Sequence, residues 1–357
     1  MNTTVEKLEK IGSNPKVTAK AVGLRYALQS DKGYYRKRKG NGFTYTDHEG
    51  NTVKNKELRE RFKKLVIPPA WTDVWISPYP NGHLQVTGID AKGRKQYRYH
   101  PDWNTIRNQS KFYRLRRFGL AISKIRQQVE KDLRKQGLPY EKVVALVVKL
   151  IELTHIRIGN DAYKKLYGSF GLTTLRDKHV KFKGNTVNFE FTGKKGIKHK
   201  IKLQSSRLAK LVQRCKEVPG YELFQYYDDE GNHHSIGSAD VNNYIKNITG
   251  EDFTAKDFRA WAGSINALCG FLEIGKHCSD ADCKKKIVAV LDTVAKKLGN
   301  TRTVCKKYYV HPTVIASYEK GAIWNYKPRK TKDADHSAEE KALLKLLTHE
   351  SIAEVLT

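Results

Sequence analysis

Negative charge is scarce in this chain of 357 residues, where 37 Asp and Glu stand against 67 Lys and Arg, for a formal net charge of +30. A field of that size attracts polyanions. The chain also lacks any run of about 18 apolar residues, the length that a membrane-spanning helix needs. The first 20 residues mix charges of both signs without an apolar segment. We therefore expect no signal peptide, and an intracellular protein.

Cysteine is also sparse, and its spacing argues against a zinc site. The count is odd, which favours free thiols in a reducing compartment. Cys278 and Cys283 are separated by four residues, and no second pair lies nearby. Zinc sites usually need two such pairs, or a pair with histidines at matched spacing, so we expect no metal and no cofactor. The five cysteines are Cys215, Cys269, Cys278, Cys283 and Cys305.

The basic residues run through the whole chain and alternate with aromatic residues, as in Tyr34–Arg38 and Arg94–Tyr99. Cationic side chains beside planar rings suit phosphates and bases, so the pattern favours nucleic acid. Solvated basic faces without a ligand are the plainer alternative. An anionic membrane surface is disfavoured because no basic helix with a bulky apolar face stands out.

The hydrophobic pattern predicts an α+β chain. Short β-type runs broken by Pro and Gly fill the first hundred residues, with one or two helices and a hairpin turn at Gly40-Asn41-Gly42. Helical periodicity follows, interrupted by a β-hairpin around Gly184-Asn185. We expect later helices at 104–135, 140–167, 205–216, 238–247, 254–268, 280–297 and 309–318. The predicted segments are a polar leader (1–20), a β-rich module (21–102), a mostly helical domain (103–327), and a polar linker with a last helix at 338–355 (328–357).

Four local features could carry chemistry. Arg157 ends an apolar helical stretch, where a buried guanidinium needs an anion; Glu152 could also supply its partner. Lys194 lies between two glycines at a hairpin turn, which could bring an ammonium to a phosphate or could be a solvated turn. Arg259 lies near a helix start beside Asp257, a possible ion-pair partner. Tyr309 follows two lysines, and a nucleophilic tyrosine needs cations because its pKa is ordinarily near 10; a tyrosine in such a place can equally be packing.

In this order, the four features resemble one family, the type IB DNA topoisomerases, and in particular their short bacterial and large-DNA-virus branch. The motifs are Arg157-Ile-Gly at a helix end, Phe191-x-Gly-Lys194 in a hairpin, Lys256-Asp-x-Arg259-x-x-x-Gly, and a tyrosine after Gly299-Asn300-Thr301. In the N-terminal module, Ile67–Trp71 and Gly88–Tyr99 are also similar to that branch. The resemblance covers residues 24–324.

The resemblance implies a catalytic role for five residues. Tyr309 would attack a phosphodiester and leave a 3′-phosphotyrosine with a free 5′-hydroxyl. Arg157 and Arg259 would hold the nonbridging oxygens, and Lys194 would protonate the leaving 5′-oxygen. Asn300 stands where poxvirus-type relatives have His, and an amide can donate a hydrogen bond but no proton. Tyr308 and Tyr318 are the competing nucleophiles, and His311 receives no catalytic role.

The resemblance also implies a C-shaped clamp around duplex DNA, working as a monomer without metal or ATP. Contacts to DNA are expected from Arg94, Lys95, Gln96, Tyr97 and Tyr99, although the two tyrosines, as alternate strand residues, could instead pack on one face. We expect the protein to be associated with DNA in a bacterial or archaeal cytoplasm, or in a host cell or virion if it is viral. A tyrosine recombinase is the nearest alternative, disfavoured because no His follows Arg259 by two or three residues. A non-enzymatic architectural DNA-binding protein would account for the charge alone.

Overall fold

The computed structural model describes residues 15–40, 42–91, 93–330 and 335–349, without the side chains of 108–113 and 162–163. The chain divides into two compact units, one ending at Arg114 and the other beginning at Leu115. The predicted boundary between residues 102 and 103 falls near this division but inside a helix, and it stays a prediction. Residues 1–14 of the predicted leader, the turn residue Asn41 and the end of the predicted tail helix lie outside the described residues.

The first unit is built on one antiparallel sheet of five strands in the order β2-β1-β3-β4-β5. Alternation along β3 turns Val74 and Ile76 to one face, where they pack with Val86 and with Phe62 of a short helix. Trp75 lies between them on the opposite face and is also buried, so both faces of the sheet are covered at this strand. The elements are α1 (Pro15–Ala21), β1 (Tyr34–Lys39), β2 (Gly42–Thr46), α2 (Lys56–Lys64), β3 (Thr72–Ile76), β4 (Leu84–Ile89) and β5 (Lys95–Tyr99).

The second unit is mostly helical, and the α+β prediction is confirmed. Helix α3 (Pro101–Asp132) leads into it from the first unit. The helices that follow are α4 (Tyr140–Thr154), α5 (Asp161–Tyr167), α6 (Ser206–Lys216), α7 (Ser238–Thr249), α8 (Ala255–Ile274), α9 (Asp280–Leu298), α10 (Arg302–Tyr308), α11 (Pro312–Glu319) and α12 (Ala338–His349). The strands are β6 (Val180–Lys183), β7 (Thr186–Thr192), β8 (Lys198–Gln204), β9 (Gln225–Tyr227) and β10 (His233–Ser235). The β9–β10 hairpin was not predicted.

The helix predicted over 140–167 is in fact two helices with a break between them. Helix α4 is buried on nearly all sides and ends at Thr154, and the capping residue His155 adopts a left-handed backbone with φ of 55°. The chain then runs extended to Gly159, which has φ of 107°. Leu172 and Thr173 donate backbone hydrogen bonds to the carbonyls of residues 157 and 158, at 2.9 and 2.7 Å. These bonds replace the helical ones, and periodicity along the sequence could not reveal them.

The start predicted for the helix over 309–318 is also wrong. Helix α10 ends at Tyr308, and α11 begins only at Pro312. Proline suits the first turn of a helix because its missing N–H is not needed there. His311 caps α11 by accepting a hydrogen bond from the Thr313 N–H at 3.2 Å. Tyr309 therefore lies at a junction between two short helices rather than inside one.

The described part of the last helix packs on the helical core. Glu340 of α12 is buried and accepts two hydrogen bonds from Arg126, at 2.9 and 2.7 Å. It also accepts one from the Trp261 indole at 3.1 Å. The helix is thereby attached to both α3 and α8. Within the described residues, no helix is long and apolar enough to cross a membrane.

Candidate active site

Helix α8 positions the backbone of Tyr309. A β-carbon at Gly263 would lie 2.7 Å from the carbonyl oxygen of Tyr309, so only glycine permits this approach. The next residue, Ser264, donates a hydrogen bond to the same carbonyl at 3.2 Å and accepts one from the His311 N–H at 2.9 Å. Arg259 lies one helical turn before Gly263. One helix therefore holds both the tyrosine backbone and a guanidinium beside it.

The phenol of Tyr309 is almost buried, with 8% of the residue exposed. The Arg259 guanidinium carbon lies 5.1 Å from the ring centroid. Burial by itself raises the pKa of this phenol. The charge of Arg259, a hydrogen bond from the same guanidinium, and the charges of Arg157 and Lys256 outweigh burial and leave the pKa below its ordinary value. A lowered pKa increases the fraction of phenolate, which is the nucleophilic form.

Arg157 and Asn300 meet at the start of the segment after α9. Arg157 donates a hydrogen bond to the Gly299 carbonyl at 3.1 Å and another to the side-chain oxygen of Asn300. Burial, and then the nearby Arg259 charge, lower the pKa of Arg157, while Tyr309 raises it. The predicted residues Arg157, Arg259, Asn300 and Tyr309 are thus brought together from α8, the break after α4 and the two sides of α10.

Arg259 is 3% exposed and is held by backbone oxygens. It donates to the Leu298 carbonyl at 2.7 Å and to the His155 carbonyl. Its Nε is buried and has no hydrogen-bond partner among the described residues. The acids that could have paired with the two arginines are engaged elsewhere, since Glu152 contacts Arg126 at 2.6 Å and Asp257 accepts from the Thr254 N–H at 2.8 Å.

The two competing tyrosines have different surroundings. Tyr318 is fully buried, stacks on Phe271 and donates its hydroxyl to the Gly275 carbonyl at 2.9 Å. Burial raises the pKa of Tyr318, the reverse of the direction found for Tyr309. Tyr308 is partly exposed, with the Lys256 and Lys307 ammonium nitrogens 5.7 and 5.5 Å from its ring centroid. Among the three, Tyr309 has the two guanidinium groups around it.

Lys194 lies exposed in the turn between β7 and β8. The turn comes close to the cluster through His199 of β8, which sequence reasoning did not single out. The His199 ring lies against Gly193 on one side and Gly299 on the other. The sequence could have indicated His199, because alternation along β8 places it on the same inward-facing side as Ile201 and Leu203.

The residues expected to contact DNA from the first unit lie on or just before β5. Arg94 pairs with Asp90 at 2.5 Å, and the Gln96 amide donates to the same carboxylate at 2.9 Å. Tyr97 and Tyr99 stack with centroids 6.1 Å apart, and Tyr97 is 47% exposed. Lys95 donates a hydrogen bond to Gln29 at 2.5 Å. Tyr99 packs on a small core containing Trp103 and Ile106, so part of this motif is packing.

Within the described residues, no group of three or more His, Cys, Asp or Glu side chains is placed to hold a metal ion. The side chains brought together at the candidate site are two guanidinium groups, an amide and a phenol.

Comparison with known proteins matches both units to one class of enzyme. The family model for the catalytic core of eukaryotic DNA topoisomerase I matches residues 100–336, and the model for the N-terminal domain of bacterial DNA topoisomerase IB matches residues 42–90. DNA topoisomerase 1B of Acanthamoeba polyphaga mimivirus is 30% identical over 295 residues, covering 81% of this chain and 88% of the relative.

Two poxvirus relatives are more distant. DNA topoisomerase 1B of vaccinia virus (strain Western Reserve) is 24% identical over 65% of this chain and 71% of its own. DNA topoisomerase 1 of rabbit fibroma virus (strain Kasza) is 25% identical over 76% of this chain and 88% of its own. This chain belongs to the type IB DNA topoisomerase family, and the resemblance drawn from its motifs is confirmed. It is an enzyme of the isomerase class that acts on DNA.

Proposed function

We propose that this enzyme relaxes both positive and negative supercoils by cutting one strand of duplex DNA with Tyr309, letting the broken strand rotate, and resealing it. The observation that carries the proposal is the convergence of Arg157 and Arg259 on a tyrosine whose pKa is lowered. We also propose that it works as a monomer, inside the cell or virion, where its DNA is found.

In the proposed cleavage step, Tyr309 of the cluster is the nucleophile and Lys194 of the neighbouring turn is the proton donor. The Tyr309 hydroxyl loses its proton to solvent, and its oxygen attacks phosphorus. The bond from phosphorus to the 5′-oxygen breaks, and that oxygen takes a proton from the Lys194 ammonium. The products are a 3′-phosphotyrosyl ester and a 5′-hydroxyl. Resealing reverses each transfer, so the phosphotyrosine keeps the bond energy and no ATP is needed.

The two guanidinium groups and the Asn300 amide are proposed to bind the nonbridging phosphate oxygens as negative charge grows. The Arg259 Nε supports this role, because a buried donor without a partner is costly and a phosphate oxygen would satisfy it. Each preorganised donor of this kind contributes roughly 3–4 kcal/mol, or about 10²–10³ in rate. Fixed cations here would supply the charge neutralisation that metal ions supply in other nucleases.

Contacts to duplex DNA outside the reacting phosphate are proposed for Arg94, Lys95, Gln96, Tyr97 and Tyr99. Tyr97 is the best placed of these because its ring is exposed. Gln96 could read an adenine edge in the major groove. Since Asp90 accepts a hydrogen bond from the Gln96 amide, contact with a base would require Gln96 to leave that carboxylate.

The decisive experiment is relaxation of positively and negatively supercoiled plasmid in EDTA without ATP, comparing the wild type with Tyr309→Phe. We expect the wild type to relax both, and the variant to bind DNA without relaxing it. Activity retained in Tyr309→Phe would move the nucleophile to Tyr308 or Tyr318. A folded, DNA-binding wild type without relaxation would leave strand exchange, as in a recombinase, or architectural binding as the function.

A further inference from the structure

His199 lies where two parts of the candidate site meet. On β8 it is paired in register with Phe191 of β7, and the two rings stack with centroids 5.0 Å apart and planes 17° apart. Phe191 belongs to the helical core, with 7% of the residue exposed. Because the His199 ring stacks on a buried core residue, the pairing of β7 with β8 determines where the ring lies.

The edges of the His199 ring contact two glycines from different segments. A β-carbon at Gly193 would lie 2.7 Å from its Cδ2 and Nε2 atoms, and a β-carbon at Gly299 would collide with its Cε1 atom. Gly193 immediately precedes Lys194, and Gly299 immediately precedes Asn300. Both glycines leave room for one imidazole, which therefore fills the gap between the Lys194 turn and the Asn300 segment.

The same contact reaches the arginine cluster. Arg157 donates its hydrogen bond at 3.1 Å to the carbonyl oxygen of Gly299, the residue against which His199 packs. Burial, followed by the charges of Arg157 and Arg259, lowers the pKa of His199. The lowered pKa favours the neutral form of the ring, because the two guanidinium groups would repel an imidazolium there.

We infer that His199 is a positioning residue that holds the Lys194 turn at a fixed place beside the Gly299–Asn300 segment, so that the Lys194 ammonium reaches the leaving 5′-oxygen. The inference rests on the proposed function of Lys194 as the proton donor. Lys194 is exposed and lies in a tight turn in which Lys195 has φ of 63°. His199 contacts both Gly193 of this turn and Gly299, whose carbonyl accepts the Arg157 hydrogen bond.

The test uses two DNA duplexes that differ in one atom at the cleavage site. One has the ordinary phosphodiester, and the other has sulfur in place of the bridging 5′-oxygen. A thiolate leaves without being protonated, so a defect in proton donation disappears on the sulfur substrate. The measurement is the single-turnover rate of covalent adduct formation by His199→Ala on each duplex.

With the ring removed, we expect cleavage of the ordinary duplex to slow by about 10–100-fold, because misplacement of a catalytic group by about 1 Å costs up to about 100-fold. On the sulfur substrate the loss should shrink to within about threefold, since general acid catalysis, ordinarily a factor of about 10²–10⁴, is no longer needed. Equal losses on both duplexes would mean a merely structural role and overturn the inference, as would no loss on either.

Three further variants complete the design. Gln204→Ala removes a neutral, exposed side chain at the end of the same strand and should cleave like the wild type. His199→Gln, which keeps length and polarity but not the stacking ring, should repeat the pattern of His199→Ala and replaces it if that variant does not fold. Lys194→Ala should lose the most on the ordinary duplex and recover on sulfur.

The lysine variant separates the two levels of the proposal. Recovery of Lys194→Ala on sulfur without recovery of His199→Ala would overturn the role of His199 and leave the proposed function intact. Failure of Lys194→Ala to recover would refute Lys194 as the proton donor, and the positioning role would fall with it.

Discussion

At the scale of single residues, the reactivity proposed for Tyr309 depends on charges that come from other elements than the two short helices it joins. Burial and three cations act on its pKa in opposite directions, and the cations prevail. Lys256 is the exposed member of the three, at the start of α8. Its replacement therefore changes the phenol's electrostatic surroundings without opening a cavity.

Lys256→Gln should raise the pKa of Tyr309 and so shift the rising limb of the cleavage rate against pH toward higher pH. Near pH 7 the rate should fall by about two- to fivefold, because an exposed charge is worth only about 0.2–1 kcal/mol. Single-turnover cleavage measured across pH checks this. Lys210→Gln, an exposed lysine of α6, is the matched control. If the pH dependence of cleavage is the same in Lys256→Gln as in the wild type, the Lys256 ammonium does not act on the nucleophile.

At the scale of elements, the break between α4 and α5 contains Arg157, and Gly171 lies directly against the backbone of that break. A β-carbon there would lie 2.5 Å from both the Arg157 carbonyl oxygen and the Gly159 nitrogen. We expect Gly171→Ala to lower stability by about 1–3 kcal/mol, as overpacking does, and to slow cleavage at least about tenfold by moving Arg157.

Gly168→Ala is the control for this prediction. Gly168 has φ of 58° and nothing within 4 Å of a built β-carbon, so alanine there should cost roughly 1–2 kcal/mol for its left-handed backbone and leave cleavage unchanged. Thermal melts and cleavage rates of the two variants, compared side by side, decide it. Equal cleavage rates in the two variants would show that the geometry of the break does not affect catalysis.

Another element, α12, packs on the core through Leu343 and Leu346 and also carries a buried carboxylate, Glu340. Burial raises the pKa of Glu340, but hydrogen bonds from Arg126, the Ser337 N–H and Trp261 outweigh it, and the pKa is lowered. A carboxyl whose pKa is lower in the folded state stabilises the protein above its unfolded pKa. That stabilisation is lost as pH falls through the folded value.

Glu340→Gln should therefore lower stability by about 2 kcal/mol at neutral pH, through the loss of charge-assisted hydrogen bonds in a buried pair. In acid the difference in stability between the variant and the wild type should disappear. Melting temperatures from pH 7 down to about pH 3, around the ordinary carboxyl pKa, measure this. Glu339→Gln, at a partly exposed carboxylate that accepts a hydrogen bond from the Ser337 hydroxyl at 2.7 Å, should show no such trend. A gap independent of pH would rule out the charge of Glu340 as the cause.

At the scale of the whole molecule, the net charge of +30 governs the approach to DNA. Neutralising phosphates releases counterions, so affinity falls steeply with salt. If about six phosphates are contacted, binding should weaken about 10³-fold between about 50 and about 200 mM salt. Equilibrium binding of the Tyr309→Phe variant to a duplex of arbitrary sequence, titrated over this range, measures the slope without turnover. A nearly flat slope would mean that the basic residues are mostly solvated and not in contact with phosphates.

Much of the architecture followed from local patterns. Short β-type runs broken by Pro and Gly predicted the strands of the first unit. Helical periodicity predicted α6, α7 and α9 within a few residues, because it reports which side of a helix is buried. The motif order led to the family, which the comparisons confirm. The assignments of Arg157, Lys194, Arg259, Asn300 and Tyr309 to catalytic roles remain predictions.

The sequence by itself determined the α+β class, the strong positive charge, the family, and the residue types available for phosphate chemistry. Only the tertiary structure decided where α4 stops, that Tyr309 lies between two helices, and that His199 and Lys256 lie beside the cluster. The reason is physical: periodicity reports a residue's relation to its own element, whereas a pKa or a close glycine contact depends on groups that are distant in sequence. The lowered pKa of Tyr309 arises from guanidinium groups 50 and 152 positions away along the chain.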